Sequence, residues 1–356
     1  MRLPSAVAIL LSAVLAGCQS TGPTPPDVVA KGDRRFGVHI TEASDRDFGR
    51  AFQSARATGM DLVPFGLPWT AIETPGGWDT NLLQIANTFF AAQGLPLYFT
   101  VLSPINTIVA EVPAAYRGMA ADDPRLIAGF NRFLDTLRAY TPRLAIDVLI
   151  LGNEIDATLG ADPAAWARYQ TFFEATRAHA KARWGPTLRV GATLTLSALN
   201  LGGVTTAIDR LVAASDLASV TYYPLTNDFG VRAPTDAQAD IDRVVARFPD
   251  RPIYFQEIGY PTSSTLGSSD EKQREFAAQV FTAWDRHSSR IKYVGWLWLT
   301  DLSPQATADL VSYYGVGGTI AVRFGEYLRT LGIRNHDGTS KSAYTALTEL
   351  LEARGW

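Results

Sequence analysis

Cysteine is nearly absent from this chain. Its 356 residues include one, Cys18, which excludes a disulfide within the chain. Histidine is scarce too: His39, His179, His287 and His336 are scattered without the spacing of metal ligands, which argues against a zinc site and metal-dependent hydrolysis. No long run of one charge occurs and the net charge is −3, so nothing points to a nucleic-acid partner. There is no Gly-x-Gly-x-x-Gly after the first apolar run, where a dinucleotide-binding fold would use one. What remains is an ordinary globular composition, 47% hydrophobic, 19% charged and 11% aromatic, long enough for a large core.

The one cysteine is informative by its position. Met1-Arg2 precedes an apolar stretch from Ala6 to Ala16, which is too short to be a transmembrane helix. A basic start, a short apolar segment and small residues before a cleavage point define a secretory signal, residues 1–17. Leu15-Ala16-Gly17-Cys18 resembles the bacterial lipobox. That resemblance implies a lipidated Cys18 as the mature N-terminus and export across the inner membrane. With Gln19 rather than aspartate next, it further implies sorting to the outer membrane. Each buried acyl CH₂ contributes roughly 0.8 kcal/mol, so several acyl chains make a firm anchor. Residues 18–33, with Gly22, Pro23, Pro25, Pro26 and Gly32, read as the lipidated cysteine and a tether. The expected folded domain is 34–356.

Within that domain, β-rich apolar runs alternate with helical patterns. Strands are expected at Phe36–Thr41, Asp61–Phe65, Leu95–Leu102, Ala145–Leu151, Leu188–Thr193, Ala218–Tyr223, Pro252–Gln256 and Tyr293–Leu299. Amphipathic stretches at Leu82–Gln93, Pro124–Tyr140, Pro163–Trp184 and Glu271–Ser288 lie between them. Asp79, Asp123, Asp162 and Ser269 stand where helix N-caps belong, and Gly59, Gly94 and Gly185 where helices end. Eight strand-then-helix units predict an α/β fold, a single (β/α)₈ TIM barrel. The alternative is an open, doubly wound sheet.

Two glutamates fall just past such strands, Glu154 after the fourth and Glu257 after the seventh. Active sites of these barrels form at the C-terminal strand ends, and hydrolysis of a glycosidic bond needs two carboxyl groups flanking it. Asn153-Glu154 after strand four with Glu257 after strand seven resembles the signature of the retaining glycoside hydrolases of clan A. Trp69-Thr70-Ala71-Ile72-Glu73-Thr74-Pro75-Gly76-Gly77-Trp78-Asp79 and Asp337-Gly338-Thr339-Ser340-Lys341-Ser342-Ala343-Tyr344 are similar to two further segments of that clan.

The resemblance implies Glu154 as general acid/base and Glu257 as nucleophile, about 5–5.5 Å apart. It implies that Asn153 binds the sugar 2-hydroxyl and that one tyrosine of Tyr222-Tyr223 donates to the nucleophile, with Tyr222 favoured. Trp298 is expected as a sugar floor, Trp296 as packing, and His39 as a partner for a sugar hydroxyl. Trp69 is expected to line a subsite, as are Trp78, Tyr260, Tyr313 and Tyr314. An arginine near strand two and a histidine after strand three, common in the clan, have no counterpart in Leu62–Gly66 or Val101–Asn106.

The expected function is a lipid-anchored retaining β-glycosidase acting on an extracytoplasmic oligo- or polysaccharide, endo-acting in an open cleft. No metal or organic cofactor is expected, and the partners are a glycan and, through Cys18, a membrane. The alternatives are a transglycosylase and a non-catalytic carbohydrate-binding lipoprotein on the same barrel.

Overall fold

The computed structural model describes residues 28–107 and 111–356; the expected signal, Cys18 and most of the tether lie outside the described residues. Eight parallel strands alternate with helices. They are β1 (Arg35–Val38), β2 (Val63–Leu67), β3 (Leu97–Val101), β4 (Ile146–Leu151), β5 (Arg189–Gly191, resuming after Ala192 as Thr193–Thr195), β6 (Ala218–Tyr222), β7 (Ile253–Ile258) and β8 (Ile291–Trp296). Pairing runs β2-β3-β4-β5 and, from the second half of β5, onward through β6-β7-β8-β1. The amides of Asp61 and Leu62 both donate to Phe36 O, at 3.0 and 3.2 Å, and join β2 back to β1. The sheet is therefore closed, a (β/α)₈ barrel.

The outer layer holds α1 (Phe48–Ala57), α2 (Asn81–Gln93), α3 (Pro124–Tyr140), a short α4 (Ile155–Leu159), α5 (Pro163–Trp184), α6 (Thr205–Ala214), α7 (Asp236–Arg247) and α8 (Asp270–Arg286). After β8 come a helical pair, α9 (Pro304–Tyr313) and α10 (Gly318–Arg329), and the terminal α11 (Ser342–Glu352). Asp123, Asp162 and Ser269 cap α3, α5 and α8 through their side chains. Asp79 lies one position early: Thr80 is the N-cap of α2, and Asp79 Oδ1 accepts from the Asn81 amide at 3.1 Å.

The lower barrel interior is filled by Leu62, Tyr98, Val148, Ile150, Leu217, Tyr254 and Tyr293. Tyr98 stacks on Tyr293 with ring centroids 4.8 Å apart. That fit needs glycine on two strands, because a Cβ at Gly37 or Gly295 would collide with the Tyr293 ring or hydroxyl. A larger apolar layer fills the space between strands and helices.

At the pole opposite the strand C-termini, Asp285 is buried between Arg34 (2.9 Å) and Arg354 (2.6 Å), and Arg34 lies over Trp284. The Lys31 amide donates to Arg354 O at 2.7 Å, and Arg34 Nη2 to Ala30 O at 3.1 Å. The chain therefore enters the barrel at that pole.

Candidate active site

A cavity of about 620 Å³ opens at the C-terminal ends of the strands and is lined by residues from every part of the barrel. Glu154 and Glu257 both face it.

Glu154 reaches it through a bend. β4 ends at Leu151, and Gly152 takes φ +114°, where any Cβ would press on Tyr169 Oη at 2.7 Å and Ile155 at 2.8 Å. Glu154 itself sits at φ 46°, ψ 45°, in the left-handed region. A non-glycine residue there carries backbone strain of order 1–3 kcal/mol, held by its surroundings. Two hydroxyls hold its carboxyl: Thr221 Oγ1 donates to Oε1 at 2.6 Å and Thr107 Oγ1 to Oε2 at 2.8 Å. Behind it, buried Asp156 ties α4 to β5 by accepting from the Thr195 amide (2.7 Å) and Thr195 Oγ1 (2.6 Å).

Glu257 reaches the same cavity through a bulge in β7. Tyr254 points into the barrel and Phe255 into the outer layer, so strict alternation would send Gln256 inward and Glu257 outward. Instead the register with β6 shifts between Phe255↔Val220 and Glu257↔Thr221, and consecutive residues both line the cavity. Gln256 Nε2 donates to Asn153 Oδ1 at 2.7 Å and to Glu257 Oε1 at 3.3 Å. Tyr223 Oη donates to Glu257 Oε2 at 2.6 Å.

The electrostatics separate the two acids. Burial first, and the charge of Glu257 second, push Glu154 up to about 7, against the pull of the Thr221 and Thr107 hydrogen bonds. Burial also raises Glu257, but the hydrogen bonds from Tyr223 and Gln256 oppose it, and they favour its charged form. Burial and the adjoining carboxylates hold the Tyr223 phenol well above its ordinary value, so it stays a donor. The shared proton of the pair belongs on Glu154. The site thus pairs a carboxyl raised to about 7 with a neighbour whose hydrogen-bond donors favour its charged form.

The remaining residues singled out in the sequence divide clearly. His39 lines the cavity and donates through Nε2 to Gln256 O at 3.2 Å; burial lowers it to about 4, so the ring is neutral. Asn153 lines it, as does Trp298, which stands beyond the end of β8 with Nε1 donating to Leu328 O at 3.0 Å. Tyr314 lines it as well. Trp296 packs on Phe276 in the outer layer.

Four expected residues are corrected. Tyr222 does not face Glu257: its hydroxyl donates to Asp240 at 3.0 Å among the outer helices, and it is Tyr223 that donates to Glu257. Strand parity explains this, since Ser219 and Thr221 point inward, as does Tyr223 two residues on, while Val220 and Tyr222 point out. Trp69 is fully buried, stacked on Tyr116 at 4.8 Å with Nε1 donating to Glu73 at 2.8 Å, and does not line the cavity. Tyr260 is likewise buried, donating to Arg232 O at 2.7 Å. Trp78 is exposed on a two-residue hairpin outside the cavity lining.

Residues absent from the sequence reading complete the site: Thr107, Thr221 and Gln256 on the acids, and a wall of Leu225, Phe229, Val316, Phe324, Tyr327 and Leu328. Inward parity with Ser219 and Tyr223 was the available signal for Thr221. Phe65 and Gly66 line the cavity, and Thr107 reaches Glu154. Among the described residues, no group of three or more His, Cys, Asp or Glu is placed to hold a metal ion.

No family model matches the chain, and no curated protein matches it by sequence. Its fold is shared with solved glycoside hydrolases. One is a GH5_18 protein from Streptomyces cattleya in complex with GlcNAc, at 19% identity over 92% of this chain and 82% of that one, with a TM-score of 0.69. Another is an exo-β-1,4-mannosidase from an Opitutaceae bacterium, strain TAV5, at 16% identity and TM-score 0.69, covering 90% of this chain and 59% of that one. A third is a β-glucuronidase from Ruminococcus gnavus, at 15% identity and TM-score 0.58, covering 89% of this chain and 49% of that one.

Proposed function

We propose that the protein is a retaining β-glycosidase. The observation that carries this reading is the convergence of Glu154 and Glu257 on one cavity, with the proton on the first and Tyr223 bonded to the second. Glu257 attacks the anomeric carbon while Glu154 protonates the departing oxygen, giving a glycosyl ester on Glu257. That ester removes the charge of Glu257, which eases ionisation of Glu154, and Glu154 then takes a proton from the attacking water. The strained backbone at Glu154 and its two threonine partners fix the carboxyl for both steps. Interception of the ester by a sugar hydroxyl instead of water would make the same site a transglycosylase.

The shape of the mouth bears on where a glycan is cut. Asn106 Nδ2 donates to Tyr313 Oη at 3.1 Å, and Tyr313 Oη donates to Glu111. This contact bridges the segment after β3 to α9, which follows β8, next to the lining residues Thr107 and Tyr314. The bridge favours removal of units from a chain end over the endo action and open cleft expected from sequence.

The lipobox resemblance at Leu15–Cys18 supports a lipid anchor and an extracytoplasmic glycan as substrate. Because residues 29–34 dock at the pole opposite the cavity, such an anchor would leave the mouth facing away from the membrane. Loss of acyl-chain labelling in Cys18→Ala tests the anchor.

The enzymatic reading is tested with Glu154→Ala. It should lose at least 100-fold on natural glycans, retain formation of the intermediate from aryl glycosides with good leaving groups, and regain turnover with added azide, yielding the β-glycosyl azide. Wild-type activity of Glu154→Ala on natural glycans would defeat the proposal, and sugar binding by the wild type without turnover would favour the carbohydrate-binding alternative.

A further inference from the structure

The charge of the cavity is one-sided. Among the described lining residues, the groups able to carry charge near neutral pH are Glu154, Glu257 and His39, and burial keeps His39 neutral. No lysine or arginine is among them. The undescribed residues 108–110 are Ile108, Val109 and Ala110, uncharged by sequence. Three basic side chains at this end of the barrel are committed elsewhere. Arg323 bonds Asp228 and Thr265 O, Arg232 pairs with Asp236 and Asp240, and Lys341 is tied to Asp301 at 2.7 Å.

Around the acids the polar lining consists of uncharged hydroxyl and amide groups, among them Thr100, Asn153, Ser197 and Gln256, and the facing wall is apolar. Such groups match sugar hydroxyls and the C–H faces of a pyranose. They offer nothing to a sugar carboxylate. A uronate entering here would bring a second anion close to ionised Glu257, in a site where burial already weakens the screening of charge. A buried charge without a partner is disfavoured strongly enough to govern selection between otherwise similar sugars.

We infer that the site is built for an electrically neutral glycosyl unit and discriminates against uronic acids by charge. This rests on the glycosidase reading above and deepens it, since solved proteins of this fold include both an exo-β-mannosidase and a β-glucuronidase.

The test compares aryl β-glycosides of glucose, galactose, mannose and xylose with the aryl β-glucuronide and its neutral, similarly shaped β-glucuronamide. The glucuronide should show under one-hundredth of the kcat/KM of the best neutral sugar, and the glucuronamide at least tenfold more than the glucuronide. A glucuronide that matches the neutral sugars overturns the inference. So does a glucuronamide as poor as the acid, because shape rather than charge would then be responsible. Calorimetry with isofagomine and its uronic analogue reads the same selectivity without turnover. Tighter binding of the neutral inhibitor by at least 100-fold sustains the inference even if the glycosidase reading fails, and equal or reversed affinity overturns it.

Discussion

Thr221 Oγ1 lies 2.6 Å from Glu154 Oε1, and on the neighbouring strand Thr221 is the register partner of Glu257. One small side chain thus links the Glu154 carboxyl to the strand position of Glu257. Its hydrogen bond favours the carboxylate form of Glu154 and so opposes the rise caused by burial.

Removing that donor should raise Glu154 further. With Glu154 as the proposed general acid, loss of its proton, near 7, would set the alkaline limb of kcat/KM, so Thr221→Val should move that limb upward by about half to one pH unit. Thr221→Ser should restore it. A pH profile on an aryl glycoside checks both, and an unmoved limb in Thr221→Val would show that the contact is structural only.

The two adjacent tyrosines should behave oppositely. Tyr223→Phe deletes a hydrogen bond to a charged, buried acceptor, worth about 1.5–3 kcal/mol, and should lower kcat roughly 10- to 150-fold. Tyr222→Phe deletes a bond to Asp240 on the far side of the strand and should leave kcat within about threefold while lowering stability by roughly 1 kcal/mol or more. Steady-state kinetics and thermal melts on the two variants separate these roles.

Stability should depend on pH through Glu154. Its folded value, about 7, lies above the usual carboxylate value, so the folded state binds more protons between the two values and stability falls as pH rises across that window. Glu154→Gln removes the buried charge. It should therefore raise Tm relative to wild type at pH 8 by a few degrees and by less at pH 5, as scanning calorimetry would show.

If the Tyr313 bridge closes one side of the mouth, Tyr313→Ala should open it. Wild type acting on a defined oligosaccharide should release single units from one end, and the variant should yield internal fragments in greater proportion. Identical product patterns by chromatography would remove the bridge from the account of chain-end action.

The helices read most directly from sequence were those with unambiguous ends. Asp123-Pro124 and Asp162-Pro163 place a side-chain cap before a proline whose fixed φ suits the first turn, and α3 and α5 begin there. The continuous apolar run of β4 ends at Leu151, as expected of a strand buried on both faces. Glu154 and Glu257 were legible because strand ends in this architecture converge. How they converge was not. The left-handed turn at Glu154 and the bulge at Gln256 are responses to tertiary packing that no local pattern encodes. Tyr222 and Tyr223 were separable by parity, because Ser219 and Thr221 share a face with Tyr223. Trp69 carried no comparable signal: burial between Tyr116 and Phe130 depends on segments distant in the chain. The same holds for Thr107, whose contact with Glu154 joins residues 47 positions apart.

Peptide mapping by mass spectrometry after treatment with a 2-deoxy-2-fluoro β-glycoside bearing a good leaving group bears most directly on the two-acid mechanism. The account predicts a single covalent adduct, an ester on Glu257, that accumulates in Glu154→Ala and is lost in Glu257→Ala. A stoichiometric adduct on another carboxylate, or products released with inverted anomeric configuration, would contradict it.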